Sequence, residues 1–313
     1  MQVHEGSEHF PHVAVPVVTS GTFDGVHIGH QTILNRLKEV AQREGGESVV
    51  LTFWPHPRLV LNPNDTELRL LSTFEEKAAL LAQHGIDHLV KVPFTKEFSQ
   101  LSSEQFIRQI LVEHLGTRKL VIGYDHRFGR NREGSFEALK QDAPTYGFTV
   151  EEIPRQDIDE VGVSSTKIRE ALEKGDVQRA HEYLSRPYDL SGTVVRGDQI
   201  GRTIGFPTAN LRVEHPNKLI PADGIYAVDV ETQVGTRHGG MLYIGPRPTL
   251  DGQEKRIEVN LFDFKGDLYE QNLRVAFRAR TRGDEKLASM EALKARLAQD
   301  EVETRAALRT LKG

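Results

Sequence analysis

Between residues 13 and 153, short β-branched runs alternate with stretches of helical spacing, and that alternation leaves few folds open. Parallel strands need a long crossover before the next strand can start in the same direction, and a helix is the usual one. Strands are predicted at 13–19, 48–53, 88–92, 119–122 and 148–152. Between the first two, Ile33, Leu34, Leu37, Val40 and Ala41 share one helical face, closed by Gly45-Gly46. Ser72 with Glu75 and Ser102 with Gln105 read as capping boxes of two further helices. The expected fold of this half is a doubly wound α/β domain.

The pattern then changes period. Two short helical segments, 165–173 and 177–184, are split by Gly175-Asp176, and Arg186-Pro187 marks the expected border. From 192 to about 280, apolar residues alternate in threes, Tyr226, Val228, Val230, then Ile257, Val259, Leu261, then Leu273, Val275, Phe277, between Gly, Pro and Asp turns. That is the mark of a small antiparallel barrel or sandwich, and 288–311 returns to helical spacing. A chain of 313 residues is long enough for two domains, taken here as 1–186 and 187–313.

Charge limits the partners. A net charge of −5 with no long run of Lys or Arg gives no footprint for nucleic acid or an anionic membrane, so anionic ligands must be met locally. With no cysteine, disulfides, thiolate metal sites and cysteine nucleophiles drop out together. The longest apolar runs are far too short to cross a bilayer and the first ten residues lack the basic start of a secretion signal, so the expected location is cytoplasmic. The oligomeric state is left open.

Gly21-Thr22-Phe23-Asp24-Gly25-Val26-His27-Ile28-Gly29-His30 falls where the first strand ends and the first helix begins. Open α/β sheets bind ligands at that edge, where a helix start offers free N–H groups and a positive dipole end. Gly29 lets backbone approach a phosphate, and His27 and His30, three residues apart, project from one face of the turn. The Lys and Ser/Thr of a Walker loop are missing, so the imidazoles must supply donors and charge stabilisation. A His-x-Gly-His tetrapeptide alone also describes an ordinary helix start, and a zinc reading with His56 or His126 lacks an acidic ligand at zincin spacing. Ser165 and Thr166 are good helix caps as well as phosphate donors, and Trp54 suits the core as well as stacking.

In the second half, Gly197, Gly201 and Gly205 recur at intervals of four, followed by Pro207-Thr208-Ala209-Asn210. Such a loop is also what a hairpin with bulges needs. Thr208 and Asn210, two apart in an extended segment, put neutral oxygens on one side, which suits a Mg²⁺ that keeps several waters and bridges phosphates. Glu258 and Asn260 alternate with Ile257, Val259 and Leu261; the acid is either a base for an alcohol or part of a solvated strand face.

These residues resemble a family. The stretch Gly21 to His30 is similar to the His-x-Gly-His signature of nucleotidylyltransferases, and in its Thr-Phe-Asp-Gly-Val-His opening to the bacterial FAD synthetases. Thr52-Phe53-Trp54-Pro55-His56-Pro57, Gly123-Tyr124-Asp125-His126-Arg127-Phe128-Gly129 and Val163-Ser164-Ser165-Thr166-Lys167-Ile168-Arg169 agree with it. The Gly201 to Asn210 stretch, Asp223-Gly224-Ile225-Tyr226-Ala227, Ile244-Gly245-Pro246-Arg247-Pro248-Thr249 and Phe262-Asp263-Phe264-Lys265-Gly266-Asp267-Leu268-Tyr269 look like the riboflavin kinase module. The chain is thus identified as similar to bifunctional riboflavin kinase/FAD synthetases of bacterial type.

That resemblance implies two ATP-dependent steps: phosphorylation of riboflavin to FMN by the C-terminal domain, and adenylylation of FMN to FAD with release of pyrophosphate by the N-terminal one. It implies ATP contacts at Gly21, Phe23, Asp24, His27, Gly29, His30, Ser164, Ser165, Thr166 and Arg169, and an FMN side at His56, Pro57, Asp125 and Arg127. In the kinase it implies an ATP loop of Gly201, Arg202, Gly205, Pro207, Thr208 and Asn210, Mg²⁺ at Thr208 and Asn210, and Glu258 as base for the ribityl 5′-hydroxyl. The chain departs from the pattern at Asn260, where His is common, at Glu270, where Gly often follows Asp-Leu-Tyr, and across 282–287. Two other readings stay open: a nucleotidylyltransferase for another acceptor, such as a pyridine mononucleotide or a phosphopantetheine, and a barrel that binds flavin without transferring phosphate.

Overall fold

The computed structural model describes residues 1–65, 67–123, 128–130, 134, 136–153, 162–197, 200–249 and 252–311. Their contacts divide the chain into two compact units, Met1–Ser165 and Thr166–Gly313.

The first unit is a six-stranded sheet in the order β1-β4-β3-β2-β5-β6, every pair parallel. Its strands are β1 (Gln2–Glu5), β2 (Pro16–Ser20), β3 (Glu47–Trp54), β4 (His88–Pro93), β5 (Lys119–Gly123) and β6 (Thr149–Ile153). All five predicted strands are present within a few residues of their expected ends; β1, with one apolar residue among four, was not expected. Successive side chains of a strand point to opposite faces, and here they feed two separate cores. Val18, Val49, Leu51, Val90, Leu120 and Ile122 pack on one face. Val17, Val50, Leu89 and Val121 pack on the other. Each such buried aliphatic side chain stabilises by roughly 1.5–3 kcal/mol, which pins the register of the sheet.

Helix α1 (Ile28–Glu44) buries Leu34, Leu37, Val40 and Ala41, the face read from spacing. It ends at Gly45, whose φ of 64° is left-handed, with its N–H turned back to the last helical carbonyls. A short helix α2 (Pro57–Leu61) follows β3, and α3 (Phe74–Gln83) precedes β4. The cap of α3 corrects the expected register by one: Thr73 and Glu76 form the capping box, while the Ser72 hydroxyl accepts from Gly25 N–H at 3.1 Å. The box of Ser102 and Gln105 is as expected and starts α4 (Ser103–Gln105), which runs on through wider, π-type turns over Phe106–His114. One further helix, α5 (Phe136–Asp142), leads towards β6.

Two short helices, α6 (Ser165–Glu173) and α7 (Val177–Leu184), follow with the predicted bounds. The Leu172 carbonyl accepts from Ala222 N–H at 3.0 Å, so the body of α6 is tied into the second unit. That unit is a closed six-stranded barrel in the order β10-β11-β8-β7-β12-β9, antiparallel throughout. Its strands are β7 (Asp189–Val195), β8 (Ala209–Arg212), β9 (Gly224–Glu231), β10 (Arg237–Thr249), β11 (Gly252–Leu261) and β12 (Asn272–Arg282). One helical turn, α8 (Ile200–Thr203), interrupts the β7–β8 connection. The interior holds Tyr226 edge-on to Phe277, with ring centroids 5.1 Å apart.

The terminal helix α9 (Met290–Thr310) packs Leu308 against Ile225, Ala227, Met241 and Phe262. Its Asp300, fully buried, accepts two hydrogen bonds from Arg282 of β12 at 2.8 and 2.7 Å and lies 3.1 Å from Arg296. The segment 282–287, where the chain departs from the family pattern, therefore begins with a residue that holds α9 to the barrel.

Candidate functional site

In the first unit β2 is flanked by β3 on one side and β5 on the other, so the strand order reverses beside it. The carboxyl ends of two such strands splay their connections apart and leave a crevice. The segment Gly21 to His30 leaves β2 at that point, with Phe23 at φ 46°, Gly25 at 81° and Val26 at 42°. A β-branched residue at positive φ is strained, and Val26 is held there by full burial and by its carbonyl accepting from Gln31 at 3.0 Å. Asp24 turns inward: 2% exposed, its carboxylate accepts from the N–H groups of Leu71 at 2.9 Å and Ser72 at 3.1 Å.

His27 is the N-cap of α1 and accepts from His30 N–H at 3.4 Å. The two imidazoles stack, centroids 3.7 Å apart and planes 18° from parallel. A Cβ at Gly29 would press on the His27 ring at 3.3 Å, so glycine is what the stack tolerates there. Burial, then the neighbouring His27, then Lys77 hold His30 well below the ordinary histidine range. Its Nδ1 is buried without a hydrogen-bond partner among the described residues. A buried ring nitrogen with no protein partner is left available to hydrogen-bond a ligand.

A cavity of about 620 Å³ opens beside the pair. Gly21, Phe23 and His30 from the expected ATP set and His56 and Pro57 from the expected FMN set line it together. His56 caps α2, its Nδ1 accepting from Arg58 N–H at 3.2 Å. The opposite wall is aromatic, Phe53, Phe94, Phe98, Phe106 and Phe128, and apolar walls with a few convergent polar groups are how pockets of this volume hold flat ligands. Trp54 packs on Phe74 at 5.9 Å, beneath the site. Of the remaining expected residues, the Ser165 hydroxyl donates to the Asp24 carbonyl at 3.1 Å, whereas Ser164 and Thr166 are exposed and Arg169 is half-buried. Asp125 and Arg127, which follow β5 in the chain, lie outside the described residues.

The barrel assembles the other set. Glu258 sits opposite Asn210 across β11 and β8, and opposite Tyr243 across β11 and β10. The Thr208 hydroxyl reaches Glu258 Oε2 at 3.5 Å, and Arg256 lies 3.5 Å from Oε1. With 21% of its side chain exposed, Glu258 belongs to a polar cluster and not to a solvated face. Asn260 donates to the Pro207 carbonyl at 2.7 Å, so the amide found in place of the family's usual His fastens the Pro207-Thr208 segment to β11. The Gly201 carbonyl accepts from Phe206 N–H at 2.8 Å, and a Cβ at Gly201 would run into the Phe206 oxygen. Gly205 has φ 93°, and a Cβ at Gly197 would overlap the Asn210 amide. All three glycines are therefore set by close approach or by handedness, Gly201 within the helical turn α8 and Gly197 and Gly205 on either side of it. Nothing is described of the Arg202 side chain. Burial and a hydrogen bond with Asp284 push the Tyr243 phenol up to about 12, so it stays protonated.

The hydroxyl of Thr208 and the amide oxygen of Asn210 are hard, neutral donors, which fits Mg²⁺ held mainly by phosphates and water. Among the described residues no group of three or more His, Asp and Glu side chains is placed to hold a metal ion, and no helix is long and apolar enough to cross a membrane. A smaller cavity of about 290 Å³, between Arg237 of β10 and Arg305 of α9, carries none of the expected site residues.

Sequence reasoning missed Lys77, Arg256, Tyr243 and the phenylalanine wall. Lys77 had a signal, since it falls on the buried stripe Phe74, Lys77, Leu80, Leu81 of α3, where an apolar residue is the rule.

Comparison with known proteins gives both halves a family. Residues 11–167 match the FAD synthetase family and residues 184–308 the riboflavin kinase family, leaving 168–183, most of α6 and α7, to neither. The chain is 38% identical over 289 residues to the bifunctional riboflavin kinase/FMN adenylyltransferase of Escherichia coli, covering 92% of this chain and 91% of that one. It is 38% identical over 291 residues to the protein of the same name from Pseudomonas fluorescens, covering 93% and 92%. A solved structure from Streptococcus pneumoniae, named as a macrolide-efflux protein, superimposes with a TM-score of 0.85 at 31% identity, covering 97% of this chain and 98% of that one.

Proposed function

The chain belongs to the family of bifunctional riboflavin kinase/FMN adenylyltransferases, and on that premise we propose that it makes FAD in two steps with the residues assembled above. The carrying observation is that each unit gathers its own polar cluster from segments far apart in sequence: His27, His30, Asp24 and Ser165 in one, Thr208, Asn210 and Glu258 in the other. We assign the catalytic roles to residues 1–186 for adenylyl transfer and 187–313 for the kinase.

In the kinase step Glu258 takes the proton of the ribityl 5′-hydroxyl as that oxygen attacks the γ-phosphorus of ATP and ADP leaves. Arg256 sets a positive charge 3.5 Å from the carboxylate, and the always-protonated Tyr243 phenol adds no competing negative charge. Gly201 and Gly205 let the loop close over the nucleotide, with Arg202 and Pro207 in the same stretch. Mg²⁺ at Thr208 and Asn210 would neutralise phosphate charge when bound.

In the adenylyl step an FMN phosphate oxygen attacks the α-phosphorus of ATP and pyrophosphate leaves. No covalent intermediate is needed, so the protein aligns the two phosphates and stabilises the charge that develops. The N–H groups at the start of α1 and the paired imidazoles face that charge. Two rings stacked at 3.7 Å are not both imidazolium, and His30, held well below the ordinary histidine range, offers a neutral N–H donor to the phosphate. Gly21, Phe23 and Gly29 shape the turn, Ser164 and Ser165 add hydroxyls, and His56 and Pro57 bound the flavin side of the cavity. Thr166, Arg169, Asp125 and Arg127 are assigned on the resemblance alone.

The test is incubation of the full-length chain with riboflavin, ATP and Mg²⁺, followed by separation of the flavins. FMN should appear first and FAD after it; untouched riboflavin would refute the reading, and FMN without FAD would refute its adenylyl half.

A further inference from the structure

Lys77 is 2% exposed, and a buried ammonium is costly unless its surroundings require it. It donates to the Thr52 hydroxyl at 3.3 Å, and that hydroxyl donates onward to the Thr22 carbonyl at 3.4 Å. A two-step relay thus runs from the buried cation to the turn that carries the paired imidazoles. The Lys77 ammonium also lies 5.2 Å over the Trp54 ring, and the inward-turned Asp24 carboxylate faces it as counter-charge.

We propose that Lys77 is a positioning residue for adenylyl transfer, a buried cation that locks the Gly21-to-Asp24 turn to the ends of β3 and α3 behind His27 and His30. The inference rests on reading the first unit as the adenylyltransferase. Lys77 does not line the cavity, so its action passes through Thr52, Asp24 and its field on His30. Around the pair stand Asp24 and His27 from the turn, Lys77 from α3, and His56 and Arg58, which share the cavity with His30. Of the acids on α3, Glu75 is exposed and Glu76 is engaged in the capping box. Burial, opposed by Asp24, brings Lys77 down to about 8, so the ammonium is charged at neutral pH and its field helps keep His30 uncharged.

The experiment is a Lys77→Met substitution in the full-length chain. Riboflavin phosphorylation, carried by the other unit, should stay within about two-fold, while turnover of FMN to FAD falls about 10- to 100-fold as the turn loosens. In histidine-labelled protein, with His30→Asn for assignment, the His30 ring should titrate at higher pH in Lys77→Met than in the native chain. Native FAD formation in the variant, or an unmoved His30 titration, overturns the proposal. Should the variant not fold, the native chain labelled at lysine Cε decides: one lysine titrating near 8 is expected, and none below the ordinary range overturns the proposal. Should the native chain make no FAD, the adenylyltransferase reading fails, while the His30 titration still judges the contact.

Discussion

Around His30 the first unit concentrates a buried ammonium, two stacked rings and backbone at positive φ at Phe23 and Val26, whereas around Glu258 the second relies on ordinary strand register, a neutral hydroxyl and one arginine. Both clusters are assigned to ATP, so the contrast lies in what each reaction lacks. Adenylyl transfer needs no base, and its site spends conformational strain and desolvation on geometry. Phosphorylation of an alcohol needs one, and its site keeps the acid partly wet, beside a positive charge.

The sharpest way to break that contrast is Glu258→Gln, which removes the base without removing bulk. Riboflavin phosphorylation should fall about 10²–10⁴-fold while FMN adenylylation is kept. The mirror variants, His27→Ala and His30→Ala, should cost FAD formation about 10²–10³-fold and leave FMN formation intact. Equal loss of both activities in either case would mean the sites are not separate.

A variant that ought to strike only the barrel is Asp300→Ala. It removes the buried carboxylate shared by Arg282 and Arg296 and leaves Arg282, 15% exposed, to Glu285 at 3.6 Å and the Gly283 carbonyl, and breaking a buried pair from one side costs about 3–5 kcal/mol. Urea unfolding followed by kinase activity would read it, and an unchanged midpoint would mean the network is ornamental.

The buried lysine predicts a pH dependence. Lys77 releases its proton near 8 when folded and near 10.5 when unfolded, so between those values the unfolded chain binds more protons. The stability linked to this group is full above 10.5 and is lost as pH falls through 8. Relative to Lys77→Met, the native chain should gain about 3 kcal/mol of unfolding free energy across that window, and parallel curves would contradict it. The smallest effect belongs to Glu270→Gly. Glu270 holds φ 64°, so glycine should fit without strain and change stability by about 1 kcal/mol or less, in the stabilising direction, by thermal denaturation.

Much of this was legible beforehand, for physical reasons that differ by residue. The β-branched strands and the face of α1 carry their period in the residues themselves, and α6 and α7 matched to the residue. The α3 cap slipped by one because Ser72-Thr73 and Glu75-Glu76 offer two equivalent boxes, and the choice is made by Asp24, 48 residues before Ser72, which draws Ser72 aside. The cavity wall escaped because Phe53, Phe94, Phe98, Phe106 and Phe128 converge only after the sheet has formed. Glu270 looked like a family departure; the backbone explains why glycine is usual there. The expected border at 186/187 and the contact border at 165/166 differ by α6 and α7, helices whose sequence carries no sign of which unit they pack with.

An acid beside a triphosphate is an electrostatic contradiction until one sees which way Asp24 points. Folded inward against two amide hydrogens and opposed by the charge of Lys77, Asp24 is 2% exposed and lines none of the cavity. An incoming nucleotide therefore meets, at this turn, aligned peptide dipoles and no bare carboxylate, an attraction that fades steeply with distance.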